Sequence, residues 1–139
     1  MSGALQGVRV LDLTTMVAGP VAAMMLGDQG ADVIKIKSLA GDLMRRFAFR
    51  RNGMSSSFLS CNRNKRSLAV DMKSAEGLMI VKKLVVTADV LMHNFRPGAA
   101  ERLGLGEDAV RVNRADIIYV SISGFGESGP YAHSGPMIR

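Results

Sequence analysis

Apolar residues in this chain gather in short unbroken runs, separated by stretches with a helical repeat. Val8–Leu13 is apolar and rich in β-branched residues, and it predicts a buried strand. Val33–Ile36, Ser67–Val70, Val90–His93 and Ile117–Ile122 predict four more. After the first, Gly19-Pro20 opens a helix carried by Val21 to Gln29. Pro20 falls near its first turn, where a missing N–H costs little, and Gly30 suits a left-handed C-cap. Ser74 is placed to cap a helix over Ala75–Val86, in which Leu78, Val81, Leu84 and Val85 share one face. Pro97-Gly98 breaks the chain before a short helix toward Leu103, and Glu107–Val112 makes another helical turn or two. Lys37–Arg66 is polar, basic and without clear periodicity, and is expected to be a long surface excursion. Gly124 to Gly129 is a loop.

Strands alternating with helices imply an α/β fold with a mostly parallel, twisted sheet flanked by helices. In such a sheet the strand–turn–helix at Val8–Gln29 makes a backbone-lined crevice, where a helix N-terminus can receive a phosphate. The 139 residues suffice for a single domain, here 1–139, and 47% hydrophobic residues suffice for a packed core. The sequence stops after a glycine loop with no closing helix, so the domain is expected to be incomplete. No apolar run reaches the roughly 18 residues that cross a bilayer. The start lacks a leader pattern, and the single Cys61 cannot form an internal disulfide; both point to the cytoplasm.

The formal net charge is +6, with cations concentrated at Arg45, Arg46, Arg50 and Arg51 and at Arg63, Lys65 and Arg66. Such clusters attract polyanions or form a solvated surface. Only 5% of residues are aromatic, which argues against single-stranded nucleic acid. Gly124-Phe125-Gly126-Glu127-Ser128-Gly129 has the glycine spacing of a dinucleotide loop, but Pro130 follows where a helix should begin. Asp12, inside an apolar strand, is expected to accept backbone hydrogen bonds at the strand end. His93 is read as packed or hydrogen-bonded, and Cys61 as a structural thiol. His93 and His133 have no companions at metal-ligand spacing, so no metal is expected. Ser55-Ser56-Ser57 reads as a polar loop. Asn94-Phe95-Arg96 directly follows a strand; an amide, a flat ring and a guanidinium fork together suit an adenine nucleotide. Glu127 sits on the glycine loop, where a carboxylate can meet a substrate.

Several segments in order carry a family resemblance: Leu5–Thr14, Ala18-Gly19-Pro20, Gly30–Ile36, Gly41-Asp42, Asn62–Leu68, Asp71-Met72-Lys73, Ala88-Asp89-Val90, Asn94–Gly98, Arg102-Leu103-Gly104, Ser121–Gly126 and Gly129-Pro130-Tyr131. Together they resemble the N-terminal part of the class III CoA-transferases, the formyl-CoA and carnitine-type enzymes, whose superfamily includes 2-methylacyl-CoA racemases. The resemblance implies a Rossmann-like domain that binds coenzyme A, with acyl-CoA and a carboxylic acid as reactants. For a complete chain it also implies an interlocked homodimer. It assigns CoA contacts to Val17 and Ala18, to Val70, Asp71, Met72 and Lys73, to Asn94, Phe95 and Arg96, to Arg102, and to Ser123, Gly124, Phe125 and Gly126. Glu127 matches a supporting carboxylate. No residue here matches the family's nucleophilic aspartate, so transferase turnover is not expected from these residues alone. The chain departs from the formyl-CoA members at Val17, where they carry Gln, and at Ser38, where they carry Arg. At Lys37 the pattern usually has Glu. A racemase-like chain and a non-catalytic CoA- or polyanion-binding module are the alternatives; for racemisation, His133 precedes the position where the required histidine should fall.

Overall fold

The computed structural model describes residues 3–47, 49–132 and 134. Five strands form one parallel sheet: β1 (Arg9–Asp12), β2 (Asp32–Lys37), β5 (Lys65–Ala69), β6 (Val90–His93) and β7 (Ile118–Ser121). Their order across the sheet is β5-β2-β1-β6-β7. The chain therefore winds outward from β1 in one direction, returns to its other side at β6, and winds outward again. The β1/β6 boundary is the topological switch point, and all five carboxyl ends share one edge.

Alternation along each strand explains how the sheet acquires two cores. Leu11, Ile34, Ile36 and Leu91 point to one face, where they pack with Val81 and Val85 of α3 (Ala75–Val85) and Val110 of α5 (Glu107–Asn113). Their neighbours Val10, Val33, Val90 and Met92 point to the other face, against Ala23 of α1 (Ala18–Asp28). Period-2 geometry sends consecutive apolar residues to opposite sides, so continuous apolar runs are what a doubly covered sheet requires. Gly30 ends the α1 region with φ +98°, a conformation that costs glycine little and lets the chain turn into β2.

The stretch read as an irregular excursion is more ordered than its composition suggests. It holds a 3-10 turn at Leu43–Arg46, a hairpin of β3 (Arg50–Arg51) and β4 (Met54–Ser55), and helix α2 (Ser56–Asn62). Ser55 is the α2 N-cap, its hydroxyl accepting from Phe58 N at 3.3 Å, so the serine run starts a helix. The third strand of the sheet begins at Lys65 instead of Ser67. The short α4 (Ala99–Arg102) follows the Pro97-Gly98 break, and α5 begins at Glu107, as expected. Among the described residues no helix is long and apolar enough to cross a membrane.

Candidate functional site

The switch point is closed by one side chain. Asn94, immediately after β6, accepts from Thr15 N at 2.9 Å and donates to Thr15 O at 2.8 Å. This amide clamp ties the loop after β1 to the loop after β6. Beyond it, Ala18, Asn94, Phe95, Arg96, Pro97, Ser123 and Gly124 line a cavity of ≈ 220 Å³. One wall is the start of α1, which has no side-chain cap and no acidic residue in its first turn; Pro20 has no N–H and Val21 N donates to Val17 O at 2.9 Å, so the unpartnered donors there are the N–H groups of Ala18 and Gly19. The opposite wall is the glycine loop after β7, folded by a bond from Gly126 N to Ser123 Oγ at 2.9 Å.

The loop between β1 and α1 rests on a buried set of four charges. Asp12 is fully buried and accepts from Thr14 N at 2.9 Å and from the Thr14 hydroxyl. Its other oxygen meets Lys65 Nζ at 2.9 Å. Lys35, in the middle of β2, donates to Thr14 O at 2.8 Å and pairs with Asp42 at 3.0 Å. Two lysines and two aspartates are mutually compensated beneath Thr14, and burial still holds the Lys65 ammonium below its ordinary pKa, against the pull of Asp12. Met16 in the same loop has φ +68°, a conformation that costs a non-glycine residue roughly 1–2 kcal/mol. Gly19 packs so closely on Thr14 that an added Cβ would lie 2.3 Å from Thr14 Cβ.

A second cavity, ≈ 180 Å³, adjoins the first and is lined by His93, Phe95, Arg96, Glu101, Ser123 and Glu127 among others. His93 is buried, its Nδ1 3.3 Å from Phe95 N and its Nε2 2.8 Å from the Tyr119 hydroxyl, which donates to Leu105 O at 2.9 Å. An acceptor Nδ1 and a donor Nε2 complete this chain with a neutral ring. Burial pushes His93 below its ordinary pKa, outweighing the attraction of Glu101 and Glu127. Burial also pushes Tyr119 up to about 12, with the same carboxylates adding to the effect, so both groups stay neutral near pH 7.

The family model for CoA-transferase family III matches residues 5–137. The chain belongs to this family. It is 47% identical over 131 residues to a succinyl-CoA:glutarate CoA-transferase of Mus musculus, covering 93% of this chain and 30% of that protein. It is 42% identical over 130 residues to a succinyl-CoA–L-malate CoA-transferase alpha subunit of Chloroflexus aurantiacus, covering 91% and 30%. The crystal structure of a CaiB/BaiF family protein from Brucella suis superposes with TM-score 0.92 at 37% identity, over 97% of this chain and 37% of that one. The chain thus spans about 30% of the length of these curated relatives.

In this CoA-transferase family III chain the sequence-assigned contacts fall into separate groups. Ala18, Asn94, Phe95, Arg96, Ser123 and Gly124 share the switch-point cavity. Val17 is the residue before α1, and Phe125 lies on the loop with its ring 5.9 Å from that of Tyr131. Arg102 is exposed on α4. Val70–Lys73 follow β5, separated from β6 by β2 and β1, about 14 Å across the sheet at ~4.8 Å per strand. The structure does not bring them into the cavity; they share only its edge. The Asn94 amide, expected to face a ligand, is engaged by Thr15 instead. The second cationic cluster is also engaged internally: Arg63 pairs with Asp28, Lys65 with Asp12 and Arg66 with Asp32. Cys61 is buried, and His133 lies outside the described residues. Among the described residues no three His, Cys, Asp or Glu are grouped as metal ligands. The buried lysines were missed by the sequence reading. Their signal was Lys35 standing alone within Val33-Ile34-Lys35-Ile36, an ammonium in a run that must be covered on both faces.

Proposed function

We propose that the carboxyl edge of this sheet binds coenzyme A, and that the chain is the CoA-binding part of a transferase moving CoA between an acyl-CoA and a carboxylic acid. The observation that carries this reading is the switch-point cavity, which gathers six of the residues assigned to CoA contact between an uncapped helix start and a glycine loop. Arg96 offers a guanidinium at its rim, and the N–H groups of Ala18 and Gly19 at the start of α1 offer two dipolar donors; both suit a pyrophosphate. Phe95 gives an apolar wall, and Glu127 reaches the adjoining cavity as a supporting carboxylate near the acyl end.

These residues bind and orient; they do not supply the nucleophile. Asp12 and Asp42 are buried and paired to lysines, and Asp71, though exposed, lies after β5 and does not line the switch-point cavity or the one adjoining it. A carboxylate that forms an acyl intermediate must be open to the acyl carbon. The single cysteine and the family suggest a reducing cytoplasmic setting, and a homodimer for a complete chain. Calorimetry with CoA tests the reading. Saturable binding is expected, and Arg96→Ala should weaken it about tenfold or more, as loss of a charged hydrogen bond does. The 139-residue chain given acyl-CoA and a free acid should show no exchange. Folded protein that gives no heat with CoA would sink the proposal.

A further inference from the structure

The loop that carries Asn94, Phe95 and Arg96 starts from a histidine that holds three neighbours at once. His93 ends β6 and is 5% exposed. Its Nδ1 accepts from Phe95 N, two residues on, at 3.3 Å, and no backbone carbonyl of the described residues takes that N–H. Its Nε2 meets the Tyr119 hydroxyl of β7 at 2.8 Å. Its ring stacks on that of Phe95, with centroids 5.1 Å apart and planes 19° apart. We propose that His93 is a positioning residue for CoA: as the Nε2–H tautomer it fixes the backbone and ring of Phe95, and with them the wall that the two cavities share, in the shape that receives the ligand. This rests on the CoA reading above and adds the residue that sets the binding loop.

The tautomer follows from counting protons. The Tyr119 hydroxyl has one, and it goes to Leu105 O at 2.9 Å. Toward His93 that hydroxyl accepts, which puts the ring proton on Nε2 and leaves Nδ1 a lone pair for Phe95 N. Burial keeps the ring neutral against the attraction of Glu101 and Glu127. The bonds therefore run from the turn between α4 and α5, through β7, to the loop after β6. Phe95 and Arg96 of that loop line both cavities. Its other side-chain anchor is Asn94, which fixes the loop against Thr15 but leaves the direction of Phe95 to His93. Histidine suits this place because its two nitrogens face opposite ways. An asparagine oxygen reaches the N–H two residues on, as in an Asx turn, but falls short of β7. A glutamine spans to Tyr119 and leaves Phe95 N without its acceptor. A loop set beforehand spares CoA the cost of ordering it on binding.

The experiment measures CoA affinity by calorimetry on the 139-residue chain, with the melting midpoint of each variant beside it. His93→Asn keeps an acceptor for Phe95 N, and CoA should bind within about twofold of the parent. His93→Gln keeps the reach to Tyr119 but loses that acceptor, and CoA should bind about fivefold more weakly, the contribution of one neutral hydrogen bond. His93→Asn gives up the bond to Tyr119, so it should melt no later than His93→Gln while binding CoA more tightly. A purely structural histidine would make affinity follow the midpoint. Nitrogen-15 spectra of the unaltered protein with CoA should show Nδ1 without a proton and Nε2 with one, and they decide the matter should a variant not fold. Asparagine and glutamine variants that bind CoA alike, or a protonated Nδ1 in the complex, overturn the assignment while leaving the CoA reading intact. An unaltered, folded protein that gives no heat with CoA overturns both.

Discussion

Lys65 and Asp12 meet at 2.9 Å with side chains almost wholly withdrawn from water, and their pairing is unlike that of the surface ions. Removing one member of a buried pair leaves the other's charge uncompensated, which costs about 3–5 kcal/mol, mostly desolvation that the pairing had offset. Lys65 also donates to Pro20 O and Asn62 Oδ1, so its loss removes two further bonds. Lys65→Met should therefore lower the unfolding free energy by about 3 kcal/mol or more. Glu107→Gln breaks the half-exposed pair with Arg111 on α5 and should cost less than about 1 kcal/mol. Urea melts of the two variants separate these cases. Equal small losses would mean that water reaches Asp12, contrary to its burial.

At the level of elements, α1 and the loop before it form one unit because Gly19 has no side chain. Gly19→Ala would put a methyl 2.3 Å from Thr14 Cβ, and Thr14 cannot give way while Asp12 and Lys35 hold it. Overpacking of this kind costs typically 1–3 kcal/mol. Because strain at this contact moves the start of α1, CoA affinity should fall along with the melting midpoint. An alanine variant that melts early but binds CoA as the parent does would detach the helix start from the site. The elements that were legible in the sequence are those whose whole length obeys one period. β1, β2 and β6 are built on short apolar segments, Val10-Leu11, Val33-Ile34 with Ile36, and Val90-Leu91-Met92, and α3 repeats its apolar face over three turns. Helix α2 was not legible, since it is seven residues long and buries only Phe58 and Cys61, a single turn apart. The loops at the site could be located because they follow strands. What Asn94 bonds to could not, because its partner Thr15 is 79 positions away in sequence.

For the molecule as a whole, charge and topology limit what the sheet edge can be used for. The basic clusters suggest a polyanion surface, yet folding divides them. Arg45 stacks on Phe58 at 3.9 Å, and Arg63, Lys65 and Arg66 pair with aspartates on β1, α1 and β2. Among the clustered cations of the described residues, Arg45, Arg46, Arg50 and Arg51 make no ion pair; Arg45 is covered by Phe58, and Arg46, Arg50 and Arg51 are exposed. The two uses of positive charge then differ in kind. The hairpin arginines stand in water, with Phe49 90% exposed among them. The start of α1 instead lies along the strand ends, where the proposed CoA site sits. Counterion release turns this into a measurement on duplex DNA. Three phosphates neutralised give a slope of log affinity against log salt of about −2.7, whereas all seven clustered cations would give about −6.3. The expected slope is the shallower one, and CoA should not compete, because the proposed CoA site lies along the strand ends and not at the hairpin. A slope near −6 with displacement by CoA would mean that the ion pairs open and the two surfaces act as one nucleic-acid site.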